Sequence, residues 1–189
     1  MVPANVHTIP YLSLTGSDLT IEMDESVRDM TFDHLDITTD HLVSLPETLP
    51  EFGFLNIDTR VGEISGTFNV SHRLSLHVGT GSIDAQVHIV APDRYDSNSN
   101  PVQVEATTDM GSIDLTVLSQ AEDLESSIVG VTQMGVVRIQ QTPHYVGGFV
   151  ADIGKGEIKV STKSPKVLII GEDGPGHVEG SVRFEEKKE

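Results

Sequence analysis

The chain has no cysteine and no tryptophan, and only 5% of its 189 residues are aromatic. Without cysteine there are no disulfides, no thiolate metal sites and no thiol chemistry. With so few rings, the core has to be built from Val, Ile and Leu, which suits strands better than a ring-walled ligand pocket. Basic residues are scarce too, 12 Lys and Arg against 29 Asp and Glu, for a net charge of −17. A field of that sign repels phosphate backbones and anionic lipid, which excludes nucleic acid and membrane surfaces as expected partners. No apolar run approaches the length of a membrane span. The start, Met1-Val2-Pro3-Ala4-Asn5, lacks a basic region followed by an apolar one, so neither a signal peptide nor an anchor is expected in this chain.

What the chain does have is a repeat. Gly81-Ser82-Ile83-Asp84-Ala85-Gln86-Val87 returns as Gly111-Ser112-Ile113-Asp114-Leu115-Thr116-Val117. The equivalent glycines are Gly62, Gly81, Gly111, Gly135, Gly156 and Gly176, separated by 19, 30, 24, 21 and 20 residues. A period of about twenty is typical of stacked repeat units. Each of the two long intervals holds an insertion, residues 91–101, rich in turn formers, and Ser119–Glu125, with a Ser-x-x-Glu capping pattern. Two residues after the glycines stand Ile64, Ile83, Ile113, Val137, Ile158 and Val178; seven before stand Leu55, Leu74, Val104, Ile128, Phe149 and Ile169. Period-two apolar columns on both sides of a glycine describe two strands meeting at a corner, each with one face inward.

Equivalent strands without an intervening amphipathic helix stack in parallel, so the expected fold is all-β, a parallel β-solenoid of about six coils. Residues 51–189 form that repeat domain. Residues 1–50, which do not follow the period, are expected to give an irregular N-terminal cap of strands with one helical turn between Asp40 and Leu45.

The phrases Gly62-Glu63-Ile64-Ser65-Gly66, Gly79-Thr80-Gly81-Ser82-Ile83 and Gly154-Lys155-Gly156-Glu157-Ile158 resemble the G-x-G-x-I repeats of an adhesin family of single-stranded β-helix domains, the DUF4097-like group. Leu55–Ile57 through Gly66–Val70 is most similar to the fungal versions. The resemblance spans about residues 53–184. It implies a right-handed β-helix with an adhesive role, secreted or at the cell surface, and it carries over no catalytic residue.

Three outward columns could carry chemistry. Three residues after each glycine come Ser65, Asp84, Asp114, Arg138, Lys159 and Glu179. Stacking brings Asp84 against Asp114, a pair that would take Ca²⁺, with Arg138 or Lys159 as the base of a lyase-like centre for an acidic saccharide. The same column also reads as a solvated charge ladder of two acids, two bases and an acid, with Asp114–Arg138 and Lys159–Glu179 attracting at roughly a few tenths of a kcal/mol each. A second column holds His77, which with His88 and His72 nearby in sequence would join a metal or acid–base cluster around Asp84; without a paired-histidine spacing it reads equally as plain surface. In the third, Thr67, Gln86, Thr116, Gln140, Ser161 and Ser181 form a flat polar row suited to a glycan or a protein surface. Val129, Val150 and Ile170 predict a small apolar patch near the C-terminal end, to be covered by the cap, an insertion or a second copy of the chain. The leading expectation is therefore a non-enzymatic binding or structural module without a cofactor. The alternative is an enzyme built on Asp84, Asp114, Arg138 and Lys159.

Overall fold

The computed structural model describes residues 8–21, 30–44, 48–91, 101–121, 124–141, 145–162 and 167–183. These residues form nine strands and no helix: β1 (Thr8–Ile9), β2 (Leu12–Thr20), β3 (Thr31–Ser44), β4 (Thr48–Ile89), β5 (Val102–Gln120), β6 (Ser126–Gln141), β7 (Gly147–Thr162), β8 (Val167–Gly174) and β9 (His177–Arg183). Pairing is parallel from β1 and β2 through β7. The fold is an all-β parallel solenoid of about five turns, fewer than the six glycines suggest.

Each turn has two straight stretches joined at a glycine. The stretch before the glycine builds a leading face and the stretch after it a trailing face. β4 runs through two successive turns, and Val90 N–H donates to Val70 O at 3.0 Å, closing one turn on the next. Gly111 lies over Gly135 in the ladder, and Gly135 over Gly156. The reason for glycine here is spatial as well as conformational. Gly81, Gly111, Gly135 and Gly156 have φ between +144° and +155°, and a Cβ on each would fall 1.5–1.7 Å from the carbonyl oxygen of the preceding glycine in the column. Only a residue with no side chain lets backbone layers stack at that corner.

Inside, the alternating apolar residues close a continuous core. Leu55, Ile57, Leu74, Leu76, Val104, Ala106, Ile128, Phe149 and Ala151 are buried from the leading face, and Ile64, Ile83, Ile113, Val137, Ala85, Leu115 and Ile139 from the trailing face. Each such branched or aromatic side chain stabilises the fold by about 1.5–3 kcal/mol. Three residues before the glycine corner, buried Thr59 and Thr132 bond backbone carbonyls, Val61 O at 3.0 Å and Gly111 O at 3.5 Å. Thr39 does the same one layer earlier, to Ser17 O and His41 O. The far corner is closed by a buried polar knot. Gln120 Nε2 donates to Leu124 O and, at 2.8 Å, to Val146 O, while Ser126 Oγ donates to Gln120 Oε1 at 3.0 Å.

Residues 8–21 and 30–44 cover the N-terminal end by joining the stack: β3 lies on β4 with Leu35 opposite Leu55, and β2 lies on β3 with Leu12 opposite Leu35. The helical turn expected from Asp40 is instead strand through Ser44, because His41 and Leu42 find ladder partners in Val61 and Gly62. The sixth coil is also corrected. Gly174-Pro175-Gly176-His177 is the turn of a hairpin, and β9 runs antiparallel to β7, with Val178 opposite Ala151. Pro followed by glycine at φ +82° matches a type II turn, and Gly176 O accepts from Ile153 N at 2.7 Å. Of the insertions, residues 92–100 and Glu122–Asp123 lie outside the described residues, while Ser119 and Gln120 complete β5.

Candidate functional site

On the trailing face the acid–base column forms in the expected order through the turns: Asp84 opposite Asp114, Asp114 opposite Arg138, Arg138 opposite Lys159. Its partners differ in part from expectation. Arg138 Nη1 reaches both carboxylate oxygens of Asp114, at 3.2 and 3.0 Å. Lys159 Nζ turns along its own strand to Glu157, 3.1 Å away. It does not meet Glu179, because the hairpin carries Glu179 to the leading face opposite Val150. Asp114 is thus matched by a guanidinium, and Asp84 stands exposed beside it. Among the described residues no group of three or more His, Asp or Glu side chains is placed to hold a metal ion, and Asp84 with Asp114 alone falls short of the roughly six to eight oxygens that Ca²⁺ takes.

The polar row is in register as well, Gln86 opposite Thr116 and Thr116 opposite Gln140. Gln86 is exposed, whereas Thr67, Thr116 and Gln140 are half-buried. His88 lies beyond Gln86 on this face, with Nδ1 2.6 Å from Ser119 Oγ. His77 is on the leading face opposite Thr107, so the structure does not gather His77, His88 and Asp84 into one cluster. The expected apolar patch is reduced to Val129 and Val150, which are neighbours in register and half-buried; Ile170 pairs with Gly180 and is two strands away.

A more convergent group of side chains lies on the leading face, near the N-terminal end. Tyr11, His34, Phe54 and His72 form an aromatic ladder with ring centroids 5.3, 5.6 and 5.2 Å apart, the last two pairs stacked. Beside the ladder runs a polar row: Asp36 opposite Asn56, then Ser75 opposite Glu105 in later layers. Asp36 accepts from Tyr11 OH at 2.9 Å and lies 3.3 Å from His34 Nε2. Arg73 Nη2 donates to Glu105 at 2.9 Å. Ladder and row enclose a recess of about 340 Å³ bordered by His34, Asp36, Phe54, Asn56, Arg73 and Ser75. That is within the size range of small-ligand clefts.

A second recess, of about 570 Å³, lies at the C-terminal end of the same face, between Gln133, Met134, Asp152, Ile153, Lys155 and Gly176. On its border His177 Nδ1 meets Asp152 Oδ1, and Met134 is 51% exposed. Asp152, its one carboxylate, is already paired with His177.

The ladder was readable in principle. Phe54 stands eight residues before its glycine, one outward column beyond those that carry the acids and the polar row, and His34 precedes it by 20 residues. In a chain with so few rings, aromatics recurring at the repeat period on an outward column are a signal.

The architecture defines a parallel repeat scaffold with flat strand faces. By sequence the chain belongs to the DUF7330 family, a domain of unknown function, matched over residues 64–177. Neither a curated protein nor a solved structure matches the chain. The family match runs from the first trailing strand to the hairpin turn. It includes Arg73 and Ser75 but not His34, Asp36, Phe54 or Asn56.

Proposed function

We propose that this domain is a non-enzymatic binding module of adhesin type, which recognises an extended partner, a glycan or a protein surface, through a flat strand face. The observation that carries the reading is the leading-face recess, where an aromatic ladder, a carboxylate, an amide, a hydroxyl and a guanidinium border one opening. Sites that orient a ligand without transforming it need only this: shape, a few convergent polar groups and a rigid support. Parallel layers supply the rigidity. The likeness of the glycine repeats to adhesin β-helices, including fungal ones, supports the same reading and a place outside the cell or on its surface. No helix of the described residues is long and apolar enough to cross a membrane.

The pairing of Asp114 with Arg138 favours this reading over the lyase-like one, since a carboxylate held by two contacts to a guanidinium has a structural partner. Binding of the full chain to arrayed polysaccharides and to surface-protein extracts, with release of reducing ends followed in parallel, tests the reading. Retention without turnover is the expected result. Turnover abolished by Asp84→Asn or Asp114→Asn would replace the binding module with an enzyme.

A further inference from the structure

Resting on the binding-module reading, we infer that the leading-face recess is a saccharide subsite selective for uncharged sugars, and that it takes the sugar edge-on. Phe54 is sandwiched between His34 at 5.6 Å and His72 at 5.2 Å, both at stacked angles. Each of its faces has a ring neighbour in the adjacent layer, so a sugar lying flat on Phe54 would have to displace one of those rings. Recognition has to come from hydrogen bonds in the plane of the row beside the ladder.

That row has capacity to spare. Asn56 and Ser75 are half-buried and make no side-chain hydrogen bond among the described residues, which leaves an amide N–H₂, an amide carbonyl and a hydroxyl for a ligand. The Asp36 carboxylate receives Tyr11 OH on one oxygen and faces His34 on the other, a geometry that fixes its plane and leaves further lone pairs. Arg73 commits Nη2 to Glu105 and keeps other N–H donors. The result is an alternation of acceptor, donor-acceptor and donor at the spacing of successive strands, about 4.8 Å. Vicinal hydroxyls, which donate and accept at once, match such a row. A hydrocarbon or a simple anion does not.

Charge selects within the saccharides. The guanidinium of Arg73 is neutralised by Glu105, Asp36 adds a further negative charge, and the chain as a whole carries −17. A uronate or sulfated sugar would approach against that field with no unpaired cation in the recess to receive it. Neutral hexose or pentose chains meet no such opposition.

The test uses the full chain with neutral gluco-, manno-, galacto- and xylo-oligosaccharides and, as a charged control, galacturonate oligosaccharides. Binding is followed by calorimetry and by amide chemical-shift changes, with Asn56→Ala and Ser75→Ala compared with the parent and melting temperatures recorded for each. At least one neutral series is expected to bind, with shifts centred on residues 34–36, 54–56 and 73–75. Each variant should weaken binding by about tenfold, one ligand hydrogen bond's worth, while its melting temperature stays near that of the parent. Uronates binding as tightly as neutral sugars would overturn the inference. So would neutral sugars bound equally well by Asn56→Ala and Ser75→Ala, an outcome that leaves the binding module intact and moves its site elsewhere. If protein partners are captured and no saccharide binds, the subsite is wrong and the module recognises protein. If nothing is retained in either assay, both readings fall.

Discussion

Asp114 and Arg138 face each other across adjacent layers of the trailing face, with one guanidinium nitrogen within 3.2 Å of both carboxylate oxygens. Arg138 is 45% exposed and Asp114 38%. At that exposure solvent and salt screen most of the attraction. Asp114→Asn should therefore lower unfolding free energy by less than about 1 kcal/mol, and the difference should shrink as salt is added. Urea titrations at low and high ionic strength check this. A loss well above that range would mean that the pair organises the face and does not merely decorate it.

Gly111 has the closest approach in the glycine column. A methyl placed on it would sit 1.5 Å from Gly81 O, with φ at +149°. Gly111→Ala combines a backbone clash with a strained dihedral and should cost about 4 kcal/mol or more, enough to leave much of the chain unfolded. Gly148→Ala, where the nearest atom to a Cβ is 3.9 Å away, should be nearly silent. Circular dichroism melts of the two variants, side by side, separate the effect of position from that of residue type.

Gln120 is the centre of the polar knot at the far corner. It donates to Leu124 O and Val146 O and accepts from Ser126 Oγ. Replacing it by Leu preserves size but strands Leu124 O and Val146 N–H, while Val146 O keeps the Ser126 N–H at 3.3 Å. The expected loss is about 3 kcal/mol, measured by denaturant unfolding, because each orphaned buried group costs about 1–3 kcal/mol before any relaxation. Gln120→Glu should be no remedy, since a carboxylate cannot donate to the carbonyls.

Tyr145 is buried against the same knot, and its hydroxyl donates to Gly148 O at 2.5 Å. Burial pushes its phenol above the ordinary value of 10.0, the hydrogen bond with Ser126 opposing that only weakly. In the unfolded chain the phenol ionises near the ordinary value, while in the fold it stays protonated. The stabilising contribution is thus fully present below pH 10 and is lost as pH rises beyond it. Tyr145→Phe should cost about 1 kcal/mol at neutral pH, from the lost hydrogen bond, and should flatten the decline of stability above pH 10. Unfolding curves of both proteins across the alkaline range decide the matter.

The fold was legible because a solenoid writes its geometry into the sequence period. The columns at Ile64, Ile83, Ile113, Val137 and Ile158 and at Leu55, Leu74, Val104, Ile128 and Phe149 are a direct image of layers in register. The hairpin escaped because Gly176 kept the spacing of the column while serving a different turn. The Pro175-Gly176 pair was the local clue, and spacing alone could not distinguish a corner from a reversal. The recess escaped for another reason. Its members come from three layers, and Asp36, Asn56 and Ser75 are unremarkable polar residues one at a time. Only the pairing of β3 with β4, concealed because Leu42 stands opposite Gly62 where later layers have a glycine, places Asp36 beside Asn56 and His34 beside Phe54.

The carbonyl column under the glycines also governs how this chain can vary in length. At that corner each layer's oxygen fills the volume that a methyl of the next would need, so there is no room for an added residue between one strand and the following one. The two insertions, at 91–101 and 119–125, both come where a trailing strand hands over to the next leading one, between Ile89 and Val102 and between Gln120 and Ser126. Growth or shortening of such a domain is therefore quantised on one side and free on the other: whole turns along the glycine edge, loops of any length along the far edge.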